Sequence, residues 1–263
     1  GSYLVRVFPL FLALLFLIIK KKKIQLPIFV ISFILISLLV FLSGERAAFF
    51  YVILTVLVTV FCVNRMLLVK LGVIGSLIIF ISVIIANDLK VRERMIDDTI
   101  KHLNLSSLNI DKLNLFSIAH EKIIFTSLKI YKDNYILGSG FKSFKLECKK
   151  KEYYDEVGCR NHPHNTYVQL LTETGILGFI FFISIFLYIC FLLFRQFIIV
   201  NFRNRSFTSR HQLNNYQIFL ILSFFITLWP FIPTGNFFNN WLSVIYYFPV
   251  GFYLSQNKFN EHI

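Results

Sequence analysis

Seven apolar stretches dominate this chain, at 7–19, 26–42, 47–63, 66–86, 175–194, 218–231 and 241–254. A helix rises about 1.5 Å per residue, so roughly 20 residues cross the hydrocarbon layer of a bilayer. The second to fifth stretches are good spans as they stand. The first, sixth and seventh are short and reach spanning length by borrowing flanking Tyr, Trp or Asn residues at the interface. A hydrophobic share of 56%, with 32 Phe, exceeds what a soluble domain of this length needs. The expected fold is all-α: a polytopic transmembrane helical bundle of about seven spans with one large extracytoplasmic loop containing short helices. Its expected parts are four helices in 1–86, the loop in 87–163, and an amphipathic helix plus three further helices in 164–263.

The net charge of +13 raises the question of nucleic acid. The basic residues cluster between apolar runs, which is a membrane-surface pattern and argues against a nucleic-acid partner. Lys20–Lys23 separates the first two runs, Arg65 and Lys70 lie between or just inside the third and fourth, and Arg195, Arg203, Arg205 and Arg210 lie between the fifth and sixth. Alternation puts these three turns on one side, the cytoplasmic one by the positive-inside rule. Ser43–Arg46, the long loop and the turn at 233–240 then face outward. The first run is followed by four lysines and not by a small-residue cleavage site, so it does not read as a signal peptide.

Cys62 and Cys190 sit in apolar runs and read as packing residues. Cys148 and Cys159 share the long loop. In an oxidising compartment they would close a small ring, contributing about 3 kcal/mol by the chain-entropy relation; in a reducing one they would be two free thiols. Leu-Asn repeats at 103–115 are too few for a solenoid and read as low-complexity surface. A helix is expected over 120–132, ended by Asp133-Asn134. Gly138-Ser139-Gly140 permits a tight turn with close backbone approach; as a phosphate loop it lacks the flanking βα unit and the third glycine.

The chemistry concentrates at His162-Pro163-His164-Asn165-Thr166-Tyr167. Pro163 is expected at the first helical position, where a missing N–H is harmless. Asn165, Gln169 and Thr172, with Glu173 beside them, form a polar stripe on an amphipathic helix at the membrane surface. Gly175 and Gly178 then let the chain bend as it enters the fifth run. Free N–H groups at that helix start would favour a diphosphate near His162 and His164. A histidine near neutral pKa suits proton removal from a hydroxyl. Arg46, at the outer end of the third run, suits a phosphate; the bland alternative is an anchor to Glu45 or to lipid headgroups. His162 and His164 could also bind metal with Cys159 and a fourth ligand such as Glu173 or His120, but the spacing matches no zinc pattern, and no metal or other cofactor is expected.

The His-Pro-His-Asn-Thr-Tyr run followed by Glu173, Gly175 and Gly178 resembles the signature of the O-antigen ligase and polymerase superfamily. The Ser-Gly-x-Arg turn at Ser43–Arg46 and the Gly-x-Gly-x-x-x-Phe element at Gly138–Phe144 support it. The resemblance covers the chain from Ser43 to the end of the fifth run and, less distinctly, the last two. It implies an integral membrane glycosyltransferase of the bacterial inner membrane, with its active-site loop facing the periplasm. The donor would be an undecaprenyl-diphosphate-linked glycan, and the acceptor lipid A core or another glycan. It implies His164 as general base and Arg46 as the essential arginine, the two acting in one site at the same depth, with His162 and Asn165 at the substrate. Many members carry a second arginine where this chain has His120; Arg160, Lys142 or His120 itself is expected to stand in. The resemblance also implies that the chain is the C-terminal portion of a longer protein. An O-antigen polymerase is the alternative within the superfamily. A lipid-linked glycan transporter or flippase is the alternative outside it, and that function calls for charged residues or broken helices at mid-membrane.

Overall fold

A computed structural model describes residues 1–63, 67–102, 118–202 and 212–260. The repeats at 103–115, Arg65, and the basic residues Arg203, Arg205 and Arg210 lie outside the described residues. The described elements are helices. In chain order they are α1 (Ser2–Ile18), α2 (Lys22–Leu42), α3 (Arg46–Cys62), α4 (Leu67–Asn87), α5 (Leu89–Arg92), a π-helical turn (Glu93–Asp97) and α6 (Asp98–His102). Then come α7 (Ile118–Asp133), α8 (Phe144–Glu147), α9 (Thr166–Phe202), α10 (Asn215–Thr227) and α11 (Asn240–Asn260).

Each apolar run falls on a helix; α9 begins nine residues before the fifth run and ends eight beyond it, and α11 ends six beyond the seventh. Among the described residues, three helices are long and apolar enough to cross a membrane: Lys22–Leu42, Lys70–Asn87 and Thr166–Phe202. Ser2–Ile18, Arg46–Cys62 and Asn215–Thr227 are apolar but shorter. On α2, Ile31, Leu35, Leu39 and Leu42 are all more than half exposed along one face. Such a stripe is an aggregation hazard in water and an ordinary lipid-facing surface in a bilayer.

The chain divides into two compact units: Gly1–Met95 with Tyr188–Thr227 and Ile245–Ile263, and Ile96–Leu187 with Leu228–Val244. In the first, α1 packs on α10, α2 and α3. Lipid gives no hydrophobic drive between spans, so close packing holds them. Aromatic rings supply much of it, with Phe8 edge-on to Phe33 at 5.2 Å and Phe16 stacked on Phe219 at 5.5 Å. The carbonyls that end α3 have no intrahelical donors. Lys70 Nζ donates to Val60 O and Val63 O, Gln196 Nε2 to Cys62 O, and Asn201 Nδ2 to Phe61 O. A cation there also suits the negative end of the helix dipole.

In the second unit a small core of Ile123, Ile130, Phe144, Cys148 and Tyr153 joins α7 to α8. α7 runs to Asp133, whose carboxylate accepts from Tyr153 Oη at 2.6 Å. The Cys148 and Cys159 sulfurs are joined, with Cα atoms 5.2 Å apart. Mass spectrometry of a non-reduced digest of the membrane-extracted protein should recover the two cysteines on one linked peptide pair. Recovery of both as alkylated thiols would remove the bridge.

Candidate functional site

The long helix that begins at Thr166 is interrupted at Gly175, whose backbone (φ 66, ψ −167) is not helical. The break leaves the carbonyls of the preceding turn without their usual donors. The glycine turn fills them: Ser139 N donates to Thr172 O and Gly140 N to Glu173 O, both at 3.0 Å. Beyond the break, Ile176 N donates to Tyr135 O at 2.9 Å. Gly138 (φ 72) lies backbone-to-backbone on this break. A Cβ on Gly138 would collide with Glu173 C and one on Gly175 with Ile136 C and O. Glu173, 2% exposed, accepts from Lys142 N and Phe144 N at 3.1 Å and from Gln169 Nε2 at 3.0 Å. Gly138-Ser139-Gly140 is thus a clasp on a broken helix, and its donors are spent on carbonyls.

The polar stripe behaves differently from the sequence expectation. Asn165, Gln169, Thr172 and Glu173 are 8%, 1%, 0% and 2% exposed, so the stripe faces inward and not the membrane surface. Gln169 Nε2 reaches Asn236 Oδ1, Gln169 Oε1 accepts from Phe237 N, and Thr172 Oγ1 donates to Val168 O. Neighbouring loops supply polar partners, and that makes burial cheaper than exposure of the apolar flanks. The helix start differs too. Pro163 precedes the helix, because His164 holds a left-handed backbone (φ 56) that no helix continues through. Asn165 is the residue that starts it. Its Oδ1 accepts from Tyr167 N at 2.9 Å and Val168 N at 3.1 Å, so two of the N–H groups expected to be free for an anion are occupied.

The segment after Leu228 clamps this turn. Thr234 N donates to His164 O at 2.7 Å, Asn165 Nδ2 to Pro230 O at 2.7 Å, and Tyr167 Oη to Leu228 O at 2.7 Å. A non-glycine residue in the left-handed region costs roughly 1–2 kcal/mol and persists only where its surroundings hold it. What the clamp secures is a cluster of imidazoles. The His162 and His164 rings are 4.0 Å apart and those of His120 and His164 5.8 Å. Burial, then the positive fields of His162, His120 and Arg160, push the His164 pKa down to about 4. Burial lowers His120 and His162 as well, with a hydrogen bond to the Thr234 backbone opposing it at His162. His164 is therefore a neutral imidazole at physiological pH, able to accept a proton. His162 Nε2 is buried and meets no partner. Among the described residues no group of three His, Cys, Asp or Glu is arranged to hold a metal ion, and Cys159, a candidate third ligand, is bonded to Cys148.

In the first unit, Ser43-Gly44-Glu45 joins α2 to α3. Gly44 takes the left-handed conformation (φ 65) that ends α2, and Arg46 opens α3 with an exposed side chain. Glu45 accepts from Ser2 N at 2.7 Å and makes no ion pair with Arg46.

The sequence model of O-antigen ligases matches residues 31–183, more than half of the chain. The chain belongs to the O-antigen ligase family. No curated protein matches it, and neither does any solved structure. The match runs from α2 through the Arg46 turn and the histidine turn into α9. Membership, with the long apolar helices, makes it a multi-pass membrane enzyme of the O-antigen ligase or polymerase type.

Of the residues that sequence singled out, His120, His162, His164 and Asn165 come together, and Arg160, exposed, adds its field to His164. Lys142 belongs to the glycine clasp, with its backbone N on Glu173 and its side chain exposed. Arg46 belongs to the other unit. Three residues of the first unit went unread. Arg6, 3% exposed in α1, donates from Nη2 to Tyr51 Oη at 3.4 Å and lies over the Tyr51 ring at 5.4 Å, while its Nε meets no partner. Arg94 packs over Gly44. A lone arginine at the edge of the first apolar run, flanked by Val5 and Val7, was a legible signal for Arg6. Nothing in the spacing pointed to Tyr51 or Arg94.

Proposed function

We propose that this enzyme transfers a glycan from an undecaprenyl-diphosphate carrier to a sugar hydroxyl, on lipid A core or on another glycan, from the periplasmic face of the bacterial inner membrane. The observation that carries the reading is the imidazole cluster: a clamped, neutral His164 with His162 and His120 against it. The acceptor hydroxyl gives its proton to the free ring nitrogen of His164 as its oxygen bonds to the anomeric carbon. The bond from that carbon to the diphosphate oxygen breaks, and the diphosphate leaves with the electron pair. Arg46 binds the diphosphate with its charged fork. His162 and Asn165 lie at the substrate, with His120, Arg160 or Lys142 in place of the second arginine that many family members carry. Once a dianion lies nearby, its field raises the His164 pKa towards neutrality, where a general base is most effective.

The test is the fate of lipid-linked glycans in a deletion strain. Loss of the ligase leaves long chains on the carrier. Single repeat units accumulating there would instead make the protein a polymerase, and glycans trapped on the cytoplasmic face would make it a transporter.

A further inference from the structure

The outer end of the first unit carries more positive charge than its contacts explain. Arg94 extends from the π-helical turn across the Ser43–Arg46 turn. Were Gly44 to carry a Cβ, that atom would sit 2.9 Å from Arg94 Cδ and 3.1 Å from Nε. Gly44 thus makes the room that lays the Arg94 side chain against the residues just before Arg46. π-Helical turns, which cost hydrogen-bond geometry, recur at functional sites.

Neither guanidinium is neutralised. The side-chain ion pairs among the described residues are Lys122–Asp155 and Lys150–Glu147, and neither includes Arg46 or Arg94. Glu93, next to Arg94, and Asp97 and Asp98 just beyond it belong to neither of these ion pairs; Asp88 accepts from Lys90 N and Val91 N, and Glu45 accepts from Ser2 N at the start of α1. Arg46 moreover opens a helix, where the dipole disfavours a cation. A third guanidinium lies deeper. Ser2 meets Glu45 and Arg6 meets Tyr51, so α1 and α3 run in parallel from this end, with Arg6 about 7 Å below the level of Arg46. Arg6 is 97% buried by its 3% exposure, and its Nε has no acceptor. A buried guanidinium without a counter-ion is costly, and its place one helical turn from the end of α1 that meets Glu45 adds positive field at the end where an anion of several charges would bind.

We propose that Arg94 is a phosphate-binding residue that shares a diphosphate with Arg46 at the Gly44 turn. This rests on the reading that the enzyme takes a lipid-linked diphosphate donor. Two planar forks side by side hold two phosphate groups, whereas a single lipid headgroup phosphate needs only one. The alternative source of the same chemistry is therefore an anionic lipid headgroup, which the experiment separates.

Full-length protein in neutral-lipid nanodiscs is titrated with farnesyl diphosphate, with inorganic pyrophosphate as competitor. Arg94→Gln should weaken binding about tenfold to a hundredfold, the loss expected for a charge-assisted contact, and Arg46→Gln by a similar factor. Arg94→Lys should recover part of the loss, since it restores charge without the fork. Wild-type affinity in Arg94→Gln alongside a clear loss in Arg46→Gln would overturn the role of Arg94 and leave the donor reading standing. No binding by the wild type would overturn both. If phosphatidylglycerol added to the nanodiscs abolishes farnesyl diphosphate binding at low mole fraction, the pair is a headgroup anchor and the diphosphate assignment fails.

Discussion

His164→Ala is expected to abolish glycan transfer, lowering the rate by about two to four orders of magnitude, the range for loss of a general base. Donor binding and protein level should stay near wild type, because the imidazole is only half-buried and its main-chain oxygen still accepts from Thr234 N. His162→Ala should be milder, since His162 borders His164 at 4.0 Å and orients it. The pH dependence carries a sign that a purely structural histidine lacks. The base must be unprotonated, so the rate falls on the acid side as His164 takes up a proton. In the free enzyme that limb lies near the His164 pKa of about 4, and kcat/KM reports it. In the donor complex the diphosphate raises the pKa, so the acid limb of kcat should lie at higher pH than that of kcat/KM. Transfer by His164→Ala at the wild-type rate on glycan gels, at matched expression, would return the cluster to a helix-capping role. Coincident acid limbs would remove the dianion from its neighbourhood.

Gly175→Val is expected to lower stability by about 3 kcal/mol or more, combining left-handed strain with steric collision. Gly175 holds φ 66, and a Cβ there would run into Ile136 C and O and towards Gly138 N at 2.6 Å. The glycine clasp would open, and with it the contacts of Ser139 N, Gly140 N and Ile176 N. Fluorescence-detected size exclusion after heating should show an aggregation temperature many degrees below wild type. Gly72→Ala is the contrast: Gly72 lies inside α4 with nothing within 4 Å of its would-be Cβ, so alanine should be neutral or slightly stabilising. Equal behaviour of the two variants would mean that the clasp holds nothing.

Much of the local structure was legible in the residues alone. Apolar runs at helical length located the helices, because a segment that hydrophobic has few other ways to satisfy its backbone in lipid. Asp133-Asn134 ended α7 where expected, and Gly138, Gly140 and Gly175 marked backbone that no other residue adopts cheaply. The His-Pro-His-Asn-Thr-Tyr run pointed to the chemistry and the family. Periodicity, however, assigns residues to a face without saying what that face meets. Asn165, Gln169, Thr172 and Glu173 read as a surface stripe, yet they are buried because Asn236, Phe237 and the glycine clasp bring partners to them. Pro163 read as a helix start, yet the cap falls to Asn165 because the clamp from Thr234 holds His164 in a left-handed turn. The approach of His120 to His164, the laying of Arg94 over Gly44 and the meeting of Arg6 with Tyr51 join residues far apart in the chain. Such encounters depend on how helices pack and how loops return, and those are properties of the whole fold that no local pattern encodes.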